Sequence, residues 1–427
     1  MLPVKVAKLK QLHNLLPLPI FFPFIGGLTS TDIQPTFFVL LVVIFPLIFF
    51  IKAPILKEIG MMVSVYISII FISIGCIFNI GNIDLAFYFR LLMPPISFVL
   101  LGVMLQNNYL KVTTRFIIFI YLIYFSVGLV QYFYPSFLAD VVYRSEQHVS
   151  LLVESGRGVR SLASEPTQLG FVFIFLNIIY FAVSKNDEVR LSRLNYASSR
   201  RCSCNRKYAT LLFILGTLLI SQSSTAIAVH FSVAAFAVWA DSKHRLIVIL
   251  TIALISFLTL VGFQSGAFDG DGRRVFNIIE IAINDPIQLT NFGAFQRILN
   301  IYLTLSAAVE HGYAGSGSSD VPVMVDITLG SQILVFWIAD KVLGGIFEYV
   351  LQLGVFGIPY VLVWFFLLFK ILIERKIAIQ ERVFYVFSLA LTNFFYGSVV
   401  NPLPIFCLVY IYMFSTGCFS LKSCGRD

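Results

Sequence analysis

The feature that most constrains this chain is a succession of apolar runs, each about the 20 residues that a helix needs to cross the hydrocarbon core of a bilayer. Such runs fall near 13–29, 36–51, 59–80, 86–106, 116–134, 168–184, 208–222, 224–240, 246–263, 345–369, 383–400 and 403–420. Inside lipid, backbone polar groups must be satisfied within the protein, which confines runs of this length to helices. The expectation is an all-α polytopic integral membrane protein with about 12 transmembrane helices and two long outside loops. Composition closes the alternatives. Hydrophobic residues make up 58% and charged residues 12% of 427, and 44 Phe stand against 22 acidic residues. Too little polar surface remains to cover a soluble domain, which excludes a soluble enzyme, a disordered chain and a secreted disulfide scaffold.

The net charge of +8 would suggest nucleic acid in a soluble protein, but here its distribution is topological. With the N-terminus inside, only Arg90, Arg144, Arg157, Arg160, Arg273, Arg274, Arg297 and Lys341 fall outside. The other lysines and arginines lie on the cytoplasmic side, the bias that orients membrane proteins, so both termini are expected inside. No nucleic-acid partner is expected.

Two stretches need a choice. The run at 13–29 carries Pro17, Pro19 and Pro23 after a Lys-bearing start, but no small-x-small cleavage site follows it, which favours a span over a leader. Residues 208–240 read as two spans turning at Ser221-Gln222-Ser223-Ser224-Thr225, because 241–245 is basic again. All six cysteines fall in spans or on the cytoplasmic side, and Cys202-Ser203-Cys204 has no further Cys or His at metal-ligand spacing. No structural disulfide, metal or cofactor is expected. Residues 185–207 read as a mobile, basic cytoplasmic connector attracted to anionic lipid.

The chain therefore divides into N-terminal spans (1–134), an outside loop with an Arg/Glu cluster (135–167), and central spans (168–263). A large outside loop (264–344) and C-terminal spans with a short tail (345–427) follow. Long loops in compact proteins are commonly functional. The second has helical patterns at 274–283 and 294–309, then a Gly/Ser turn region at 312–319.

The first loop holds Arg144, Glu146, His148, Glu154, Arg157 and Arg160, then Ser161-Leu162-Ala163-Ser164-Glu165-Pro166-Thr167-Gln168-Leu169-Gly170. Gly156 and Gly158 give the arginines backbone freedom. Guanidinium groups bind phosphate bidentately, so an anionic phosphate ligand fits this cluster; ion pairing with Glu146 and Glu154 is the bland alternative. Ser164-Glu165-Pro166 before an apolar run is also a helix start, with Pro in the first turn. Arg90, beside Asp84 at the mouth of a span, reads as an interface anchor or an ion pair, with a lipid-phosphate role as the sharper alternative. His230, inside a span, reads as a histidine satisfied by hydrogen bonds between helices.

The stretch Arg160-Ser161-Leu162-Ala163-Ser164-Glu165-Pro166-Thr167 before a span resembles the Arg…Ser-Glu-Pro-Ser stretch of bacterial O-antigen and capsular polysaccharide polymerases. Arg297, followed by Glu310-His311-Gly312-Tyr313-Ala314-Gly315-Ser316-Gly317, is similar to the late periplasmic loop of that family. The run Phe347–Gly357 is similar to its aromatic, Gly-spaced helix, and Ser221–Ala226 to its Ser-rich turn, although no Arg stands there. Related O-antigen ligases carry a His-Asn pair where Leu343 and Gly344 stand here, which weighs against a ligase. Nor is the Arg-x10-Gly spacing of some polymerases met by Arg157, Arg160 or Arg297.

The resemblance implies glycosyl transfer at the periplasmic face of the bacterial inner membrane. The donor would be a growing glycan on undecaprenyl diphosphate, and the acceptor one lipid-linked repeat unit. Arg157, Arg160 and Arg297 would hold the diphosphate, with Arg144, His148 and Arg90 in support. Glu165 would act as base, with His311 behind it. Membrane lipids and a chain-length regulator would be its other partners. The alternatives are an O-antigen ligase and, outside enzymes, a lipid-linked oligosaccharide transporter. Transporters place ionisable residues in the middle of spans, whereas here charge gathers in the outside loops.

Overall fold

The computed structural model describes residues 17–24, 59–79, 85–107, 110–138, 141–142, 158–192, 199–241, 315, 323–329, 332–339, 345–396 and 401–417. The described part is a helical bundle. After one turn, α1 (Leu18–Phe21), come α2 (Ile59–Phe78), α3 (Leu85–Gln106), α4 (Thr114–Phe133) and α5 (Pro166–Ser192). Helix α6 (Ser199–Gly216) runs into a π turn (Thr217–Ser221), and α7 is Ser224–Asp241. A broken segment follows later: a 3-10 turn at Gly345–Phe347, α8 (Glu348–Leu353), a second 3-10 turn at Gly354–Gly357 and α9 (Ile358–Ile373). Helices α10 (Ile379–Tyr396) and α11 (Pro402–Thr416) complete it.

Five of these helical stretches are long and apolar enough to cross a membrane: Gly60–Phe78, Phe87–Gln106, Thr114–Phe133, Pro166–Glu188 and Glu348–Ile373. Thr225–Ala240 and Pro402–Thr416 are shorter apolar helices. The spans expected at 36–51 and 246–263 lie outside the described residues. Of 13–29 only α1 and its flanks are described, but Phe21 is buried edge-on against Phe116 and Phe406, and Tyr124 donates to its carbonyl. That segment is packed into the bundle.

An addition to the all-α expectation sits in the second long loop. Val323–Leu329 and Gln332–Ala339 pair antiparallel, with Val323 opposite Ala339. Their β-branched and aromatic content explains the preference for strands.

Helices α5 and α11 form the centre. Both are apolar on every side and almost wholly buried from Leu169 to Val183 and from Pro402 to Met413, as expected of helices surrounded by others. Each opens on a proline, where the missing N–H has no intrahelical partner to lose. In α11 the Asn401 side chain also accepts from the Leu403 amide at 2.9 Å. Aromatic edges seal the neighbours: Phe171 and Phe175 both meet Tyr396, and Phe181 meets Phe384.

Helix α3 contains Pro94 and Pro95 in its interior. Proline removes the amide that would bond four residues back, so Pro95 leaves the Leu91 carbonyl without its helical donor. The Tyr349 hydroxyl supplies one at 2.9 Å, its side chain buried with its ring tilted against that of Tyr360. A defect in one helix is thus repaired by a residue 258 positions away.

Candidate functional site

Three groups of contacts show which helix ends meet. Gln131 near the end of α4, the segment 158–166, the π turn and the start of α7 lie together. The start of α5 also meets the end of α10, where Gln168 reaches the Tyr396 carbonyl. At the opposite end, Lys185 bonds Glu381 at 2.8 Å, Arg206 bonds Glu188 at 2.7 Å, and Lys376 donates to the Thr416 carbonyl. Helix ends read as outside are therefore gathered at one end of the bundle, and those read as inside at the other.

The basic connector read at 185–207 is largely helical rather than a mobile loop. Helix α5 continues to Ser192 and α6 begins at Ser199. Lys185 and Arg206 are committed to carboxylates, and the Arg206 guanidinium also lies over Phe181 at 5.5 Å. Neither side chain is spread towards lipid.

At the other end, the chain enters the site through Gly158, whose φ is +75°. A Cβ there would fall 2.5 Å from the Ser221 carbonyl oxygen. The glycine is needed for close approach more than for freedom. Val159 then donates its amide to the Ile220 carbonyl at 3.0 Å. That carbonyl is available because the last carbonyls of a helix lack intrahelical donors. The π turn, closed by the Gln222 amide on Thr217 O at 3.0 Å, presents its carbonyls to the loop. Tyr132 donates to the neighbouring Leu219 carbonyl.

Arg160 follows, 6% exposed. Its backbone is held on both sides. Ser161 takes a left-handed conformation (φ +51°), and its amide donates to Gln131 Oε1 at 2.7 Å. Gln131 Nε2 returns a bond to the Ser161 carbonyl at 3.2 Å, and Ser161 Oγ donates to the Tyr124 carbonyl at 2.6 Å. Ala163 donates to the Arg160 carbonyl at 2.9 Å, closing a turn that delivers the chain to Glu165. Helix α5 starts at Pro166 as the sequence indicated, with half-buried Glu165 at its mouth.

The backbone just before Arg160 runs against the C-terminal end of the α6–π helix. Polar groups surround this corner: Ser223 donates to Thr167 Oγ1 at 3.1 Å, and Ser221 Oγ to the Pro166 carbonyl at 2.7 Å. The arrangement places a buried arginine on a firmly held backbone, and a carboxylate, at one end of an apolar bundle. Among the described residues no three His, Cys, Asp or Glu come together as metal ligands.

Arg90 pairs with Glu348 at 3.4 Å, and Gln352 donates to the same carboxylate oxygen at 2.7 Å. The suggested neighbour Asp84 lies outside the described residues. Arg144, His148, Arg157, Arg297 and His311 also lie outside them. The second loop touches the described bundle through Gly315 (φ +79°), which backs onto Gln352 and Gly354 so closely that a Cβ would overlap their backbone. Sequence reasoning missed this docking, the helix break beneath it and the clamp by Gln131.

No protein-family model, curated protein or solved structure matches the chain.

Proposed function

We propose that the chain is a membrane glycosyltransferase that polymerises undecaprenyl-diphosphate-linked repeat units into O-antigen or capsule at the periplasmic face of the bacterial inner membrane. The observation that carries this reading is Arg160, buried at one end of an apolar bundle on a backbone held by Gln131 and the π turn, with Glu165 five residues on. Preorganised charge aimed at a leaving group lowers a transition state without reorganisation at the moment of reaction.

In the reaction, an acceptor sugar hydroxyl attacks the anomeric carbon of the donor glycan. The new C–O bond forms as the bond to diphosphate breaks, and undecaprenyl diphosphate leaves with the electron pair. Arg160, with Arg157 and Arg297, meets the developing charge. Glu165 takes the hydroxyl proton, with His311 as the second candidate.

The test is the glycan ladder on a gel. Arg160→Ala is expected to abolish long chains and leave the single-repeat band, because export and ligation belong to other proteins. Arg160→Lys should rescue poorly, since a point charge lacks the fork. Glu165→Gln should abolish long chains if Glu165 is the base, and retain part of them if it only orients the arginines. Normal ladders from Arg160→Ala at normal protein level would refute the site. Loss of the single-repeat band as well would point to ligase or transporter. The transporter reading has one observation in its favour, the interruption at 354–357, since transporters bind substrate at broken helices.

A further inference from the structure

The motif at Ser221–Ala226 and the buried His230 have no part in the chemistry above, yet the structure connects them to it. His230 is 1% exposed on α7, and both ring nitrogens are engaged. Nε2 lies 3.2 Å from Asn177 Nδ2 of α5, and Nδ1 lies 2.7 Å from Thr217 Oγ1, the first residue of the π turn. The partners fix the direction of each bond. Thr217 donates its only hydroxyl hydrogen to the Phe213 carbonyl at 3.2 Å, so Nδ1 must carry the hydrogen that Thr217 accepts. Asn177 Oδ1 accepts from Thr210 at 3.1 Å, leaving its amide hydrogens for Nε2. One neutral tautomer satisfies the whole chain from Thr210 through Asn177, His230 and Thr217 to Phe213. The network ties α5, α6 and α7 to the residue at which the helix widens.

That widening has a consequence three residues later. Thr217 O accepts the i+5 bond from Gln222, and the extra residue turns the Leu219 and Ile220 carbonyls outwards to Tyr132 and Val159. Val159 is next to Arg160. Single π turns inside helices are frequent at functional sites, and this one is the platform on which the arginine segment is hung.

We infer that His230 is a positioning residue: through Thr217 it holds the π turn in the register that places Arg160. The inference rests on the reading of Arg160 as a phosphate-binding residue.

The test uses the full-length protein in lipid nanodiscs and two readouts. The first is hydrogen exchange of the segment 158–163, which needs no activity. Thr217→Val keeps the shape and removes the acceptor, and should speed exchange of that segment about tenfold, the effect of losing one buried hydrogen bond on local opening. Thr217→Ser keeps the hydroxyl and should restore the native rate, and His230→Phe should match Thr217→Val. The second readout is the glycan ladder. Faster exchange at 158–163 with shortened ladders supports both the positioning role and the Arg160 site. Faster exchange with normal ladders supports the anchoring role of His230 and sinks Arg160 as the phosphate ligand. Unchanged exchange in Thr217→Val overturns the inference, whatever the ladders show. Equal loosening of 158–163 and of α5 makes His230 an ordinary packing residue, which also overturns it.

Discussion

At the scale of single residues, the site is set by groups that carry no reactive chemistry. Gly158 admits the chain against the Ser221 carbonyl, and its positive φ and lack of a side chain are used together. Gly158→Ala should therefore displace the Arg160 segment. The left-handed backbone alone costs about 1–2 kcal/mol for a residue with a Cβ, and the overlap with backbone adds to it. The expected result is loss of long glycan chains with the bundle intact by circular dichroism; a normal ladder would show that the approach is not required. Tyr349 is the corresponding residue away from the site. Tyr349→Phe leaves the Leu91 carbonyl buried with its proline-created vacancy, which should cost about 1–3 kcal/mol in thermal unfolding. A further change of Pro95→Ala restores the helical donor and should recover much of that loss. If the double variant is no more stable than Tyr349→Phe, the repair argument fails.

At the scale of elements, legibility followed the range of the interaction. The helices at 59–78, 85–106, 114–133 and 402–416, and the first part of α5 up to about 184, were readable because length and hydropathy are local properties; the polar continuation of α5 to Ser192 was not. So was the reversal at 221–224, from its Ser-rich turn and the basic segment after α7. The start of α5 was signalled by Ser164-Glu165-Pro166. What local pattern could not supply was the partner of each defect. Arg90 has Asp84 six residues before it in sequence, yet the structure pairs it with Glu348 on another element. The π turn leaves no hydropathy trace, and the break at 354–357 lies inside an uninterrupted apolar run. The ribbon at 323–339 did have a signal, Gly330-Ser331 between two β-branched runs, hidden by the expectation of helices in that loop. The inner charge cluster is a further pairing across elements. Glu188 serves both Lys185 and Arg206, the latter 2% exposed, and Lys185 also reaches Glu381 on α10. Removing one carboxylate from a largely buried cluster costs more than its formation gained, because desolvated charge is left behind. Glu188→Gln should lower stability by on the order of 3 kcal/mol and reduce protein level while leaving the length distribution of the remaining glycan unchanged. An altered ladder length at matched level would instead connect the inner cluster to the chemistry.

At the scale of the whole molecule, the two ends of the bundle differ in kind. One gathers paired Lys, Arg and Glu around α5, α6 and α10; the other gathers Arg160, Glu165 and a set of hydroxyl and amide groups around the π turn. Positive charge marks the cytoplasmic side of a membrane protein, so the first end should face inwards and the candidate site outwards. Two exposed residues on the α6–π helix make this measurable: Lys207, next to Arg206 of the ion cluster, and Gln222, at the turn. The helix between them is about 15 residues long, roughly 22 Å at 1.5 Å per residue, enough to separate the two sides of most of the hydrocarbon. In a background with the native cysteines replaced by serine, Gln222→Cys should react with a membrane-impermeant maleimide in whole spheroplasts. Lys207→Cys should react only after the membrane is opened. The reverse pattern would put Arg160 and Glu165 in the cytoplasm, away from exported repeat units, and the proposed polymerisation at the periplasmic face would lose its substrate. Labelling of both positions in intact spheroplasts would mean that α6 does not cross the membrane, and that the π turn and the basic cluster share one face.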